Sequence, residues 1–527
     1  MTSTIQSNQD QPVPAAATTS TATDATINGA QPAGHNTRTD GTSTPGAQDR
    51  APLFEALKDH IKDGVTPFHV PAHKHGAGLP EMRAFLGDQM FLMDVNAMAD
   101  VDDLGNPLSC IDEAQRLAAE LFRTDHSHFL INGTTSGIHT MLISALRPGD
   151  RIILPRNCHK SAFSGLILSG AIPVYAAMEM NEELGIATGS TYESIKACFH
   201  RAPQTAALFL MNPNYYGFTS DLEAFRKLAH LWEAALLVDE AHGGHMYFHD
   251  ELPIGGMDAG ADISAISTHK TCGSLTQSSL LLHRDRTIHA DRVLNTLNLM
   301  RTTSASYLLM ASIDVARRQL AIHGHELMTR TLQLSRHARE RINNIEGLYA
   351  FGKELIDHKA IHDFDETKLC IHVRRLGMTG FEMERRLRQE YNIQIELADL
   401  NNIMAMVTLG DTEENLNRLV DALKSIASKC RLQKFHKVTM LPEMPETIVM
   451  PRDAYYSPKK TVSLEESVNE ICGEMVMSYP PGIPVICPGE RITQDIVDYI
   501  NILKEHNCHM QGTADPFVNH LRVLGFE

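Results

Sequence analysis

Three short polar clusters, each directly after an apolar run, contain residue types that could carry chemistry. They are Asn132–Gly137, Asp239–His245 and Ser267–Lys270. In the first cluster, Thr134, Thr135 and Ser136 lie where a helix is predicted to begin, so hydroxyls, backbone N–H groups and the helix dipole could hold a phosphate. A hydroxyl helix cap explains the same residues. The first cluster therefore indicates a phosphate site only when it is considered together with the other two clusters.

The second cluster contains Asp239, at the end of the apolar run Leu236–Val238. A carboxylate there is predicted to lie at the carboxyl edge of a sheet, where α/β proteins bind ligands. Asp-Glu-Ala-His also occurs in helicases, but the sequence has no Gly-x-x-x-x-Gly-Lys-Ser/Thr loop for nucleotide phosphates. Asp239, His242 and His245 could alternatively bind a metal, and each histidine could be purely structural.

The third cluster places Lys270 just after another apolar run, Ile263–Ile266. Together with a phosphate cradle and the strand-end Asp239, this lysine fits pyridoxal phosphate chemistry. Its amine would form a Schiff base, and the carboxylate would keep the pyridine nitrogen protonated. A metal hydrolase built on Asp239 and the two histidines would leave the Ser-x-His-Lys run unexplained.

The alternation of short apolar runs with amphipathic stretches from Phe54 to about His325 predicts the elements that position these clusters. Such a pattern is typical of βα units, so we expect an α/β fold with a mostly parallel sheet. The predicted strands are Phe129–Ile131, Ile152–Leu154, Ile172–Tyr175, Ala206–Met211, Ala235–Asp239, Ile263–Ser267 and Ser279–Leu282, with a helix over Gly137–Leu146.

A smaller α+β domain is predicted to follow a long helical stretch at 310–345. Its expected strands are Lys368–Val373, Ile393–Glu396 and Ala405–Leu409, and its expected helix is Glu413–Lys429. We divide the chain into a disordered tail (1–50), a large domain (51–325), a small domain (326–440) and a C-terminal segment (441–527). The tail has no Phe, Tyr or Trp, too little apolar surface to offset the entropy of ordering.

Composition narrows the possible partners and the compartment. The chain has 47 basic and 64 acidic residues, a net charge of −17, which argues against nucleic acid or an anionic membrane as main partner. No apolar run approaches the roughly 18 residues of a membrane span. The nine cysteines are scattered and form no Cys-x-x-Cys pair, so we expect no metal site. The N-terminus is unlike a secretory signal, so we expect reduced thiols in the cytoplasm.

With these motifs in this order, the sequence resembles the fold type I pyridoxal-phosphate-dependent decarboxylases of ornithine, lysine and arginine found in bacteria. The resemblance runs from about Phe54 to the C-terminus. The matching segments are Phe68–Gly76, Asn132–Ser136, Asn157–Ser161, Asp239–His245, Ser267–Lys270 and Tyr479–Pro484.

The resemblance implies a role for each matching residue. Lys270 would be the Schiff-base lysine and Asp239 the partner of the pyridine nitrogen. His159 would stack on the cofactor ring, Ala241 would pack on its other face, and His242 would lie near the cofactor O3′ or the substrate carboxylate. The residues implied to contact the phosphate are Thr134, Thr135, Ser136, Ser267 and His269.

The resemblance also implies the reaction, the decarboxylation of a basic amino acid. Arginine, giving agmatine and CO₂, is favoured because the chain most resembles the shorter arginine decarboxylases, with lysine or ornithine as alternatives. Glu490 and the acidic residues Asp94, Asp100, Asp102 and Asp103 are candidates for the distal cation.

The family further implies a homodimer or a larger homo-oligomer. Two other functions stay open. One is an aminotransferase that binds the substrate carboxylate with Arg522 or an arginine in 374–388. The other is a cofactor-binding regulator without activity.

Overall fold

Alternating strands and helices build the first half of the molecule. The computed structural model describes residues 46–433, 442–478 and 482–525, so nearly all of the expected tail lies outside the described residues. The strands are β1 (His126–Leu130), β2 (Arg151–Pro155), β3 (Ile172–Ala176), β4 (Met180–Asn181), β5 (Ile186–Ala187), β6 (Thr205–Met211), β7 (Phe218–Thr219), β8 (Ala235–Glu240), β9 (Ile263–Ile266) and β10 (Ser279–His283). The helices are α1 (Pro52–Asp63), α2 (Pro80–Leu86), α3 (Asp88–Met93), α4 (Cys110–Leu121), α5 (Gly133–Ala145), α6 (Lys160–Ser169), α7 (Tyr192–Arg201), α8 (Leu222–Leu231), α9 (Thr268–Thr271) and α10 (Ala290–Met300).

Seven of these strands form one sheet in the order β1-β10-β9-β8-β6-β2-β3. The five strands from β9 to β3 run parallel, and β10 is antiparallel to both of its neighbours. Apolar cores cover both faces. In β8, Leu236 and Val238 pack into one core, whereas Ala235 and Leu237 pack into the other. Burial on both faces explains why these strands read as continuous apolar runs. The predicted α/β fold is confirmed.

Helix α5 packs tightly on this sheet. A Cβ at Gly137 would lie 2.8 Å from Leu130 Cδ1 and 3.1 Å from Ala265 Cβ. A larger residue would therefore push the N-terminal turn of α5 away from β1 and β9. The glycine allows that turn to sit directly at the sheet edge, beside the ends of the strands.

The small domain follows a single long helix. Its elements are α11 (Tyr307–Asn343), β11 (Tyr349–Ala350), β12 (Asp363–Phe364), β13 (Lys368–His372), α12 (Gly380–Tyr391), β14 (Leu397–Ala398), β15 (Asn402–Met406) and α13 (Glu413–Ser428). An antiparallel sheet β11-β13-β15-β14 forms its centre. The boundary expected between residues 325 and 326 falls inside α11, which is continuous through it. Within the described ranges, no helix has the length and apolarity needed to cross a membrane.

One predicted strand of this domain is wrong. Residues Ile393–Glu396 precede β14 instead of forming a strand. Asn392 ends α12 in the left-handed conformation (φ 55°), and the Ile393 N–H donates to the Leu387 carbonyl. The alternating apolar pattern suggested that this backbone pairs in a sheet. The backbone instead forms a turn that closes the helix.

The C-terminal segment folds against both preceding parts. Its elements are α14 (Pro451–Tyr456), β16 (Lys459–Ser463), β17 (Val476–Ser478), β18 (Ile483–Ile486), α15 (Gln494–Glu505), β19 (Met510–Gln511) and β20 (His520–Leu524). They form the antiparallel sheets β16-β20 and β18-β17-β19. The segment thus continues the molecule with antiparallel strands, in contrast to the parallel sheet of the first half.

A buried ion pair joins this segment to the large domain. Arg156, just after β2, donates from Nε and Nη2 to the two carboxylate oxygens of Glu490, at 3.0 and 2.8 Å. The side chains are 6% and 1% exposed. Arg156 also donates to the Pro484 carbonyl, and Glu490 accepts from the Cys487 N–H. These bonds offset the cost of removing both charges from water.

We expect Glu490→Ala to lower the free energy of unfolding by about 3–5 kcal/mol, because it leaves the Arg156 guanidinium buried without its counter-ion. Glu470→Ala is the matched control, since Glu470 pairs with Lys460 at 2.7 Å on the surface, and its loss should cost less than about 1 kcal/mol. Urea titration of both variants measures the difference. Equal losses would show that the buried pair does not stabilise the fold.

Candidate active site

A cavity of about 320 Å³ lies where β8 and β9 end and α5 begins. This volume is at the lower end of the range of small-molecule sites. Residues predicted from distant parts of the chain come together in its walls. The predicted residues that line it are Thr134, Thr135, His159, Asp239, Ala241, His242, Ser267, His269 and Lys270.

One end of the cavity offers hydrogen-bond donors to an anion. The 13-residue helix α5 begins there at Gly133, whose φ is 69°. Thr134 Oγ1 is within hydrogen-bond distance of Ser267 Oγ and lies 2.8 Å from Ser279 Oγ. His269 Nδ1 lies 2.8 Å from the Ser278 carbonyl, which can only accept, so Nδ1 carries the hydrogen. Hydroxyls at a helix N-terminus suit a phosphate group.

Ser136 stands apart from the other predicted phosphate contacts. Its hydroxyl donates to the Gly133 carbonyl at 2.8 Å inside the first turn of α5. Its side chain lines a different depression, beside Leu297 and Arg301. The geometry gives this hydroxyl a role in closing the helix turn, and its contact with a phosphate stays a prediction.

Asp239 brings a buried carboxylate to the cavity wall. Its Oδ1 accepts the Ala241 N–H at 3.0 Å. Burial raises the pKa of this carboxyl above its ordinary value. A cationic partner inside the cavity would counter that effect and keep the group ionised. A protonated ring nitrogen has the required charge.

The neighbouring Glu240 faces away from the cavity and anchors the end of β8. It accepts hydrogen bonds from Tyr247 Oη at 2.6 Å, Ser264 Oγ at 2.5 Å and the Gly256 N–H at 2.6 Å. Complete burial raises the pKa of Glu240 to about 7. Because side chains alternate along a strand, fixing Glu240 on one side also fixes the direction of Asp239 on the other.

His159 presents a neutral ring. It caps helix α6, and its Nδ1 accepts the Ser161 N–H at 3.3 Å, so the hydrogen is on Nε2. Burial lowers the pKa of His159 to about 3. An uncharged aromatic ring held by a helix cap fits the predicted stacking role. The contacts within the chain do not test this role, so it stays a prediction.

Lys270 and His242 are in direct contact. Lys270 Nζ lies 3.1 Å from His242 Nε2, and Lys368 Nζ lies 2.7 Å from His242 Nδ1. Tyr215 packs edge-on against the His242 ring, at 5.3 Å between centroids. Sequence reasoning missed Lys368 and Tyr215. Neither belongs to a motif, and Lys368 begins a strand of the other domain.

His245 lies outside this group. Its Nε2 is 3.2 Å from both the Asp365 carboxylate and Thr367 Oγ1. The proposed metal set of Asp239, His242 and His245 is therefore not assembled. Within the described ranges, no group of three or more His, Cys, Asp or Glu side chains could hold a metal ion.

The candidates for the distal cation of a substrate are already engaged elsewhere. Glu490 pairs with Arg156 outside the cavity, so the structure gives it a stabilising contact instead of the expected substrate contact. Asp94 and Asp100 pair with histidines, and Asp102 accepts backbone N–H groups at the start of α4. Arg522, the candidate of the aminotransferase hypothesis, lies in β20, outside the cavity walls.

A carboxylate that the sequence analysis overlooked lies near the cavity. Glu396 is exposed, just before β14. Its charge raises the pKa of both Lys270 and His269, which places it within electrostatic reach of the reactive amine. The sequence analysis treated Glu396 only as the end of a predicted strand, and its local pattern does not mark it as a functional carboxylate.

The residues present fit pyridoxal phosphate. The hydroxyls around Thr134 at the start of α5 suit the phosphate, and the buried Asp239 suits a protonated pyridine nitrogen. Lys270, whose pKa is lowered by burial, supplies an amine that can react with an aldehyde. The donor set is thus complete within one cavity.

Comparisons with known proteins match the chain to one family of enzymes. The profile of the Orn/Lys/Arg decarboxylase major domain matches residues 51–415, and that of the C-terminal domain matches residues 434–516. The arginine decarboxylase of Bacillus subtilis is 44% identical over 482 residues, covering 91% of this chain and 98% of the relative. That of Bacillus anthracis is 43% identical over the same shares.

Solved structures show the same fold. Lysine decarboxylase A from Pseudomonas aeruginosa has a TM-score of 0.78 at 21% identity, covering 91% of this chain and 81% of that one. The lysine decarboxylase LdcF of Francisella novicida has a TM-score of 0.77 at 20% identity, covering 91% and 82%. At these identities the likeness concerns the fold.

The buried Glu240 predicts a pH-dependent stability. Its pKa is about 7 in the folded state, against 4.5 ordinarily. Between these values the folded state holds a proton that the unfolded state has lost, so this contribution falls as pH rises from about 4.5 to 7. In Glu240→Gln we expect that slope to vanish, a difference of up to about 3 kcal/mol across the window.

Denaturant titrations at several pH values measure this slope. Glu326→Gln is the control, because Glu326 is 86% exposed on α11, and it should keep the slope of the wild type. A Glu240→Gln variant with an unchanged slope would contradict the role given to Glu240.

Proposed function

This chain belongs to the Orn/Lys/Arg decarboxylase family, and we propose that it converts arginine to agmatine and CO₂ with pyridoxal phosphate. The observation that supports the cofactor is that Lys270, Asp239 and the N-terminus of α5 lie around one cavity. Support for arginine comes from relatives named arginine decarboxylase, which are 42–44% identical. The ornithine and lysine decarboxylases are only 23–24% identical.

The predicted residues of the cavity have separate tasks in this reaction. Pyridoxal phosphate, when bound, draws electrons from the substrate Cα so that the carboxyl group can leave as CO₂. Lys270 Nζ would hold the cofactor covalently, and Thr134, Thr135, Ser267 and His269 would hold its phosphate. Asp239 would keep a proton on the pyridine nitrogen, because its buried carboxylate is stabilised by that positive charge.

After CO₂ has left, the Cα needs a proton. The amine of Lys270 and the imidazole of His242 can supply this proton. Lys270 Nζ and His242 Nε2 lie 3.1 Å apart, so a proton given up by the amine can be replaced through the imidazole. The neutral ring of His159 would hold the cofactor plane in place while this transfer occurs.

The substrate's distal cation needs a carboxylate with a free position. Glu396 is exposed and within electrostatic reach of Lys270, unlike Glu490, which is already paired. A carboxylate can bind a guanidinium through two parallel hydrogen bonds. We therefore assign the distal cation of the substrate to Glu396.

Release of CO₂ from arginine, lysine and ornithine, measured together with the amine product, tests the proposal. We expect arginine to react fastest, and Lys270→Ala to lower the rate about a thousandfold because the reactive amine is lost. Lys460→Ala, on the surface, is the control. Glu396→Gln should raise the KM for arginine at least tenfold.

Each other outcome is informative. Faster release from lysine or ornithine would overturn the substrate, and an unchanged KM in Glu396→Gln would overturn the cation contact. A protein that absorbs visible light with the cofactor, yet releases no CO₂, would point to amino-group transfer. A protein that never binds the cofactor would overturn the proposal from Lys270 onwards.

We also propose that the chain forms a homodimer. Large apolar side chains are exposed within residues 65–108, more than a monomer normally leaves in water. They are Val65, Phe68, Val70, Leu79, Met82, Phe85, Leu86 and Leu108. Phe68 is 94% exposed and Phe85 is 88% exposed. A second copy of the chain would remove this surface from water.

Light scattering of the purified protein tests this assembly. The wild type is expected at twice the chain mass or a multiple of it, and Phe85→Glu should shift the population to the monomer. Leu231→Glu is the matched control, because Leu231 is 78% exposed at the end of α8. A monomeric wild type would contradict the proposal.

Reduced cysteines support a cytoplasmic location. All nine cysteines are free, and seven of them are buried. Unpaired thiols of this number are typical of a reducing compartment. We therefore propose that the protein works in the cytoplasm.

A further inference from the structure

A second cavity, of about 170 Å³, lies where the large domain, the small domain and the C-terminal segment meet. It is smaller than the roughly 300–1,000 Å³ of pockets for drug-sized molecules, so a ligand that fits it must be small. Most of its walls are apolar and suit a short hydrocarbon chain. The apolar side chains in these walls include Met178, Met180, Ile186, Leu400, Ile483 and Val485.

Two carboxylates also line the second cavity. Asp399 is partly buried just after β14, and Glu443 is exposed in the segment before α14. Among the described residues of the walls, the only other charged one is Arg156. Its guanidinium is already paired with Glu490, which is not part of the walls. The cavity therefore has an excess of negative charge.

Neutral groups hold the Asp399 carboxylate in place. Oδ1 accepts the Asn401 and Asn402 N–H groups at 2.6 and 2.7 Å. Oδ2 accepts from Tyr216 Oη at 2.7 Å and from Asn402 Nδ2 at 3.1 Å. Within the part of the chain that the structure describes, no lysine, arginine or histidine pairs with Asp399. A carboxylate removed from water in this way is stabilised by a cation.

The second cavity is distinct from the first one, around Lys270. Lys270, Asp239 and His242 line only the first cavity, and Asp399 and Glu443 line only the second. Tyr215 lines both, so the two cavities are neighbours. The proposed reaction uses neither carboxylate of the second cavity.

We propose that the second cavity binds an aliphatic dication, an amine or guanidine with a positive charge at each end of a short methylene chain. One cation would pair with the partly buried Asp399, the chain would lie on the apolar walls, and the other cation would meet the exposed Glu443. Agmatine has this chemistry. The inference rests on the proposed function only in the choice of agmatine as the first probe.

Isothermal titration calorimetry of the holoenzyme with agmatine tests this site. We expect Asp399→Asn to weaken the binding at least about tenfold, because the amide keeps the shape of the side chain and loses its charge. The KM for arginine should stay unchanged, since Asp399 does not line the first cavity. Asp411→Asn is the matched control, because Asp411 accepts the Thr408 N–H in the same domain, away from the second cavity.

A ligand with a single charge separates the two carboxylates. Asp399→Asn should weaken agmatine and n-butylamine alike, whereas Glu443→Gln should weaken agmatine about threefold, as for an exposed pair, and leave n-butylamine unchanged. Glu446→Gln, which removes an exposed carboxylate of the same segment, should affect neither ligand. Putrescine distinguishes the sources of the dication. Tighter binding of agmatine identifies the guanidine as the ligand, and tighter binding of putrescine identifies a diamine.

The outcomes are distinct from those of the decarboxylation assay. Absence of binding, or binding that survives in Asp399→Asn and is lost instead in Glu396→Gln, overturns the inference even if arginine is decarboxylated. Should Asp399→Asn fail to fold, as judged by circular dichroism, Ala187→Leu decides, because a larger side chain in the wall must also exclude the ligand. Binding that depends on Asp399, in a protein that releases no CO₂, would uphold the inference and overturn the proposed function.

Discussion

The common edge at which parallel strands end is the constraint on which the whole site depends. β8 and β9 are parallel neighbours, with Asp239 opposite Ala265, so Asp239 and Ser267 come to the same sheet edge although 27 residues separate them in the chain. Helix α5 brings Thr134 to the same edge, because Gly137 lets it approach the sheet closely. The cavity is therefore a consequence of the strand order, and the loops supply its reactive groups.

Burial then decides the charge of each group in the cavity. Removal from water lowers the pKa of His159, His242 and Lys270 and raises that of Asp239. Neutral rings, an amine that gives up its proton more readily than usual and a carboxylate that needs a cation all suit cofactor chemistry. The same burial explains Glu240, whose three hydrogen bonds stabilise the end of β8.

The domains contribute unequally to this arrangement. The Arg156–Glu490 pair holds the C-terminal segment to the large domain. Because Arg156 lies three residues before His159, the pair also helps to fix the loop that carries His159. The small domain contributes Lys368, which contacts His242, and the exposed Glu396, whose charge acts on Lys270. The contact between Lys368 and His242 therefore depends on two domains meeting correctly, and a single motif could not build it.

The sequence by itself determined the α/β class, the seven strands of the main sheet and most of the residues around the cavity. Local patterns carry that information, since apolar runs, glycines and polar strand ends act within a few residues. The tertiary structure alone decided that Glu490 is paired and that Ile393–Glu396 closes a helix. It alone also placed Lys368 on His242, 126 residues away. Such contacts depend on which surfaces pack together, and no local pattern records that choice.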